Sequence, residues 1–202
     1  MEKKKIVVFD FDGTLSSGDS NTDFYWHCFW RSPRGMLYLP LTLACAVVAR
    51  FCPRGVWWRE NIRRCITTEM VKKFAPEFIK IHRARRFGWA ADQVAAERAA
   101  GNIVLCISAG PDYLIPKLVR DMRFDAVLCS KMDKKKPWRF RFLCHDARKV
   151  WALYEWCDAR EIMPVVARSY SDSRNDLPMM EIAGDQVWID KKTGLRRMPP
   201  IC

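Results

Sequence analysis

The sequence predicts an α/β fold, a mainly parallel sheet with a helical insertion after its first strand. Three observations carry that expectation. Short runs of β-branched and aromatic residues recur between segments with helical apolar spacing, the alternation that builds parallel sheets. From about residue 17 to 95 the strand pattern lapses, and only helical or apolar stretches occur. The chain has 202 residues, half of them hydrophobic, enough for one core carrying a modest insertion. The expected division is a core of residues 1–16 and 96–202, with a helical cap at 17–95.

The first strand is Ile6-Val7-Val8-Phe9, with lysines before it and an Asp-Gly turn after it. Trp89 to Ala100 is Ala-rich and helical, stopping at Gly101. Ile103 to Ile107 is the second strand. Pro111 suits the start of a helix whose apolar face is Tyr113, Leu114, Leu118 and Met122. Ala126 to Cys129 is a third strand, and Lys131 to Arg141 is a basic hairpin or loop. Asp146 to Trp156 is an amphipathic helix. The last two strands are about 165–170 and 186–189.

Lys and Arg number 35 against 23 Asp and Glu, a formal charge of +12 that calls for an anionic partner. Nucleic acid, an anionic membrane and a phosphorylated substrate all qualify. Nine Cys form no C-x-x-C and three His are scattered singly, which excludes the usual thiolate and imidazole metal sites. The odd cysteine count suits reduced thiols in the cytosol. The apolar run behind Lys3-Lys4-Lys5 ends at Asp10, too soon for a secretory signal.

The chemistry concentrates at predicted strand ends. Asp10-Phe11-Asp12-Gly13-Thr14-Leu15 follows the first strand directly. Two acids one residue apart repel unless a cation lies between them or one is protonated. A hard divalent cation suits such oxygen ligands. Ser108-Ala109-Gly110-Pro111 follows the second strand, and a hydroxyl with free N–H groups at a helix start would bind phosphate. Lys149 lies early in a helix and offers a fixed positive charge. Ser171-Asp172-Ser173-Arg174-Asn175-Asp176-Leu177-Pro178 adds two more acids after a later strand. Ligands of open α/β sheets sit at such carboxyl ends.

In this order, Asp10-x-Asp12-Gly-Thr, Ser108, Lys149 and Asp172-x-x-x-Asp176 resemble the four motifs of the haloacid dehalogenase superfamily. The match covers about residues 5–15 and 100–190. The form of the last motif, with an insertion after the first, resembles the subfamily that holds phosphoserine phosphatase. The resemblance implies a Rossmann-like core and a phosphatase. Asp10 would be the nucleophile that forms an aspartyl-phosphate, and Asp12 the general acid and then the base. Mg²⁺ would be held by Asp10, the Asp12 carbonyl and Asp172. Ser108, Ala109 and Lys149 would hold the phosphoryl oxygens. Asp176, with Asn175 beside it, would support the metal or orient Lys149. Lys131 and Lys134-Lys135-Lys136 are rivals for the Lys149 role, because the glycine usual near that motif is absent from Cys144 to Val150.

The insertion bears on substrate. Residues 36–49, within an apolar segment at 35–52, carry no charge. As a helix they span about 21 Å, short of the roughly 30 Å hydrocarbon core. A single crossing would also part Asp10 from Ser108, Lys149 and Asp172. The segment is therefore a buried cap helix, a re-entrant hairpin at Pro40, or an interfacial helix. Arg31 and Arg34 precede it; Arg50, Arg54, Arg59, Arg63 and Arg64 follow, with Trp26, Trp30, Trp57 and Trp58 among them. Such flanks suit an anchor on the cytoplasmic face of an inner membrane.

The Pro-containing stretch, Tyr170-Ser171-Asp172-Ser173, and Trp188 followed by Thr193-Gly194-Leu195 resemble the bacterial phosphatidylglycerophosphatases of this superfamily. That resemblance implies a lipid substrate. The alternatives are a soluble phosphatase of a small metabolite such as phosphoserine, using Arg63, Arg64 and Glu69, and a basic nucleic-acid-binding module. No nucleic-acid motif is present, and binding alone would not call for the acid pairs.

Overall fold

The computed structural model describes residues 2–51 and 60–199. Its strands are β1 (Glu2–Phe9), β2 (Ile103–Pro111), β3 (Ala126–Met132), β4 (Phe140–Phe142), β5 (Ile162–Ser171), β6 (Asp185–Ile189) and β7 (Arg196–Arg197). They form one sheet in the order β4-β3-β2-β1-β5-β6-β7. The five inner strands are parallel, and only β4 and β7 run antiparallel to their neighbours. This is the expected mixed α/β fold with a mostly parallel sheet.

Both faces of the sheet are covered, which explains why the strands read as continuous apolar runs. Ile6 and Val8 turn to one face with Leu105, Ile107 and Val166, beneath α7 (Ala147–Asp158) and α8 (Leu177–Glu181). Val7 and Phe9 turn to the other with Val104, Cys106 and Tyr170. There they meet α1 (Ser20–Trp30), α4 (Thr68–Arg83), α5 (Ala90–Ala99) and α6 (Ile115–Leu118). Phe9 stacks on Tyr170 at 4.2 Å. The seven described cysteines are free and buried; Cys52 and Cys202 lie outside the described residues.

Three expectations need correction or extension. β1 begins at Glu2, because Lys3, Lys4 and Lys5 pair with Met163, Pro164 and Val165 of β5. Main-chain pairing overrides their charge, and the Lys3 and Lys5 side chains stay exposed. Pro111 ends β2 instead of starting a helix: it pairs with Ser130 of β3 across a bulge. The fixed φ of proline suits either position, and strand pairing decides. Helix α6 starts only at Ile115, with Pro116 in its first turn. Ser108 and Ala109 therefore sit at a strand end and not at a helix start. Residues 131–141 form a hairpin, in which Lys131 pairs with Phe142 and Met132 with Phe140.

Between residues 17 and 95 the described residues contain helices and no strand. The chain leaves and re-enters the core side by side. Ser17 N–H donates to Arg85 O (3.0 Å) and Phe87 N–H to Leu15 O (3.0 Å). Besides α1, α4 and α5 this region holds α2 (Pro33–Leu37) and α3 (Leu39–Phe51). In α3 only Thr42 and Cys45 are buried. Leu39, Leu43, Val47 and Phe51, spaced by four, are exposed at 42%, 59%, 61% and 84%. Thr42 faces inward, where its Oγ1 meets Tyr25 Oη at 2.8 Å, while the charged Arg50 is exposed. No helix among the described residues is long and apolar enough to cross a membrane.

Candidate active site

The end of β1 projects Asp10 into a cleft of about 730 Å³, which Asp12, Ser108, Ala109, Lys149, Asp172, Asn175 and Asp176 also line. Asp10 N–H is anchored to Tyr170 O of β5 at 3.0 Å, and the next turn closes with Leu15 N–H on Phe11 O at 2.9 Å. Lys149 comes from the first turn of α7. Its buried Nζ lies 2.8 Å from Asp10 Oδ1 and 2.7 Å from Asp176 Oδ1. Ser171 Oγ donates to the other Asp176 oxygen at 2.7 Å. Asp176 thus fixes the ammonium against Asp10. Lys131 is exposed on β3, away from this cluster.

Helix α7 has no glycine at its entry, yet Asp146 there takes φ +52°, a backbone region that favours glycine. Such a conformation costs on the order of 1–3 kcal/mol. The turn is kept without the residue that usually makes it.

Burial pushes the Asp10 carboxyl upward, against the pull of Lys149. Burial alone would lower Lys149, but Asp10 and Asp176 outweigh it and hold the ammonium charged. Asp12 takes two hydrogen bonds from Ser20, at 2.7 Å from N–H and 2.9 Å from Oγ–H. Even so, burial, with Asp19 nearby, raises the Asp12 carboxyl well above the ordinary range. Both carboxyls are raised by burial, but only Asp10 has an ammonium that favours its charged form. That asymmetry suits a nucleophile and an acid.

Asp172 is also raised, by burial and then by Asp176. Its partner is Thr14, whose hydroxyl lies 3.3 Å from Asp172 Oδ1 and accepts from Asp172 N–H at 3.0 Å. A Cβ on Gly13 would stand 2.4 Å from Asp172 Oδ2, so only glycine leaves this carboxylate its place. Ser108 is buried and its Oγ accepts from Gly110 N–H at 3.0 Å. Ala109 O accepts from Ser130 Oγ at 2.7 Å. Asn175 is exposed at the rim.

The profile of the haloacid dehalogenase-like hydrolases matches residues 7–181. This chain belongs to that family. It is 28% identical over 114 residues, 55% of its length, to a probable phosphatase of Mycobacterium tuberculosis. It is 32% identical over 120 residues, 54% of its length, to a phosphoserine phosphatase of Albidiferax ferrireducens. The matches span 40% and 49% of those relatives, so the chain covers about half their length or less. Among solved structures, a Bordetella pertussis protein of unknown function superposes with a TM-score of 0.73 at 18% identity. That match covers 93% of this chain and 90% of the other, and it speaks for the fold.

Among the described residues no three His, Cys, Asp or Glu side chains form a metal cluster. The pattern that the resemblance implies needs fewer: two carboxylates and a main-chain carbonyl. Asp10, Asp12 O and Asp172 are hard oxygen donors fit for Mg²⁺. Asp10 and Asp176 are paired with Lys149, and Asp172 beside them has no ion pair among the described residues, which suits a cation there.

Sequence reasoning did not find Ser20, Lys191 or Lys192, all in or beside the cleft. Ser20 had one local signal, its place at the start of a helix. The lysines had none, because the β6–β7 turn reaches the cleft only through the fold.

Ser20→Ala removes a bond that favours charged Asp12. It is expected to move the alkaline limb of the pH–rate profile to higher pH. With Asp12 as the proposed general acid, the rate would fall as pH rises through its pKa, since the acid form is lost. An unmoved limb would dismiss Asp12 as the acid.

Proposed function

We propose that this chain is a Mg²⁺-dependent phosphomonoester hydrolase that works through an aspartyl-phosphate on a phosphorylated lipid headgroup at an anionic membrane surface. The chemistry rests on one observation: Asp10 is clamped by Lys149 beside an Asp12 biased toward protonation. The Asp10 oxygen not held by Lys149 attacks phosphorus, and the ester P–O bond breaks. Asp12 gives its proton to the leaving alkoxide. It then takes a proton from the water that attacks the same phosphorus, which releases inorganic phosphate and restores Asp10. Lys149 and Ser108 hold the phosphoryl oxygens. Mg²⁺ on Asp10, Asp12 O and Asp172 would supply charge neutralisation between nucleophile and phosphoryl group.

The substrate reading rests on α3. A helix with Leu39, Leu43, Val47 and Phe51 outward and only Thr42 and Cys45 buried exposes an apolar stripe of the kind that an ordinary surface helix buries. Burying such side chains is worth about 1.5–3 kcal/mol each. Exposed Arg31, Arg34 and Arg50 flank the stripe and suit anionic headgroups. The segment is then an interfacial helix of a cap at 17–95. The cleft reaches it through Tyr25, which lines the cleft and meets Thr42 of this helix at 2.8 Å. Arg54, Arg59, Trp57 and Trp58 lie outside the described residues. Likeness to bacterial phosphatidylglycerophosphatases makes phosphatidylglycerophosphate the first substrate to try, at the cytoplasmic face of the inner membrane.

One observation favours a soluble phosphoserine-type substrate: Arg63 is buried in the cleft wall, where it could meet a carboxylate. Glu69, the acid sought for the amine, is exposed and lines no part of the cleft. The deciding experiment compares phosphate release from phosphatidylglycerophosphate micelles and from phosphoserine, with Mg²⁺ and with chelator. The lipid is expected to win, with activity lost on chelation. Leu43→Ser with Val47→Ser should lower liposome partitioning about 100-fold, on the order of 3 kcal/mol, at unchanged Tm. Preference for phosphoserine would retire the lipid reading.

A further inference from the structure

The β3–β4 hairpin carries a charge that the catalytic cluster does not use. Lys131, Lys134, Lys135, Lys136, Arg139 and Arg141 are all exposed, against one acid, Asp133. No ion pair involves any of these six cations among the described residues. The tip is nevertheless built, not loose. Asp133 Oδ1 accepts from Lys135 N–H and Lys136 N–H at 2.8 and 2.9 Å. Asp133 N–H donates to Arg139 O at 2.9 Å, and Arg139 N–H to Lys136 O at 2.8 Å. The lone carboxylate therefore shapes the turn that presents the lysines.

The hairpin is tied to the helical region and not only to the sheet. Thr68 Oγ donates to Lys134 O at 3.3 Å, and Phe140 N–H donates to Glu60 Oε1 at 2.9 Å. The Arg64 guanidinium lies 5.6 Å from the Trp138 ring centre. Phe140 and Trp26 both line the cleft. One part of the cleft rim thus continues into the lysine tip, and another, through Tyr25 and its contact with Thr42, reaches α3.

We infer that the lysine tip of the β3–β4 hairpin is a second membrane foot, which binds anionic phospholipid headgroups and sets the tilt of the cleft over the bilayer. This deepens the membrane reading and rests on it. The apolar stripe supplies depth of insertion, and the hairpin supplies charge selection. With two feet, the cleft faces the lipid surface in one orientation. With one, the molecule can roll about α3.

The test uses the full chain with Lys134→Gln, Lys135→Gln and Lys136→Gln combined. Sedimentation is measured with vesicles of phosphatidylglycerol and phosphatidylcholine in equal parts, and with phosphatidylcholine alone. Partition to the anionic vesicles should fall about 100-fold at low salt, with a weaker salt dependence. Binding to phosphatidylcholine and turnover of soluble p-nitrophenyl phosphate should be unchanged. Wild-type-like binding of the variant to anionic vesicles overturns the hairpin role. If Leu43→Ser with Val47→Ser still loses binding, the proposed function survives that result. Absence of vesicle binding by the wild type overturns both. Loss of duplex DNA binding by the variant, with vesicle binding intact, would reassign the tip to nucleic acid.

Discussion

Asp10→Asn is expected to yield a folded protein whose turnover is reduced at least about 10⁴-fold. The amide keeps the size of the carboxyl but offers no anionic oxygen to attack phosphorus. Folding should survive, because Lys149 retains Asp176 at 2.7 Å as its counter-ion. The change also removes a buried acid near Asp172 and Asp176, so Tm should stay within a few degrees of wild type. Phosphate release and a thermal melt on the same sample read both halves. Turnover near the wild-type rate would end the covalent mechanism, whatever the substrate proves to be.

Lys149→Ala should harm stability as well as rate. Its ammonium is buried between two carboxylates, and removing one partner of a buried ionic group costs about 3–5 kcal/mol. At this chain length that is a fall of roughly 10 °C in Tm. The loss should depend on pH in a definite direction. Without Lys149, the Asp10 carboxyl, already raised by burial, has a folded pKa further above its unfolded value. A raised carboxyl binds protons more readily folded than unfolded, so stability rises as pH falls. In chelator, the deficit should therefore be smaller at pH 5 than at pH 8. Lys131→Ala, on an exposed side chain, should change neither Tm nor rate. A neutral Lys149→Ala and a damaging Lys131→Ala would reverse the assignment of the cation.

Much of the core was legible because its physical causes are local. Ile6 to Phe9 reads as a strand since both faces of β1 are buried, and a doubly buried strand needs an unbroken apolar run. The helix before Gly101 stops where its glycine takes φ +80°. Pro111 misled because its fixed φ serves a strand end as well as a helix start, and Ser130, a partner from another strand, chose between them. The hairpin at 131–141 was ambiguous for the same reason. Its register, Lys131 with Phe142 and Met132 with Phe140, is seen only in the folded chain, and its basic residues show no period.

The chain's own sequence determined that acids, a hydroxyl and a lysine fall at strand ends and helix starts, since apolar periodicity marks where each element begins and stops. It also determined that residues 36–49 are apolar on nearly every side, and so it left three poses open. Tertiary structure alone decided that Lys149 stands between Asp10 and Asp176, 139 residues from the first of them in sequence. It decided as well that Thr42 and Cys45 face inward while Leu39, Leu43, Val47 and Phe51 face out. The reason is common to both. Periodicity records which residues share a face, but only packing against distant elements determines what that face meets.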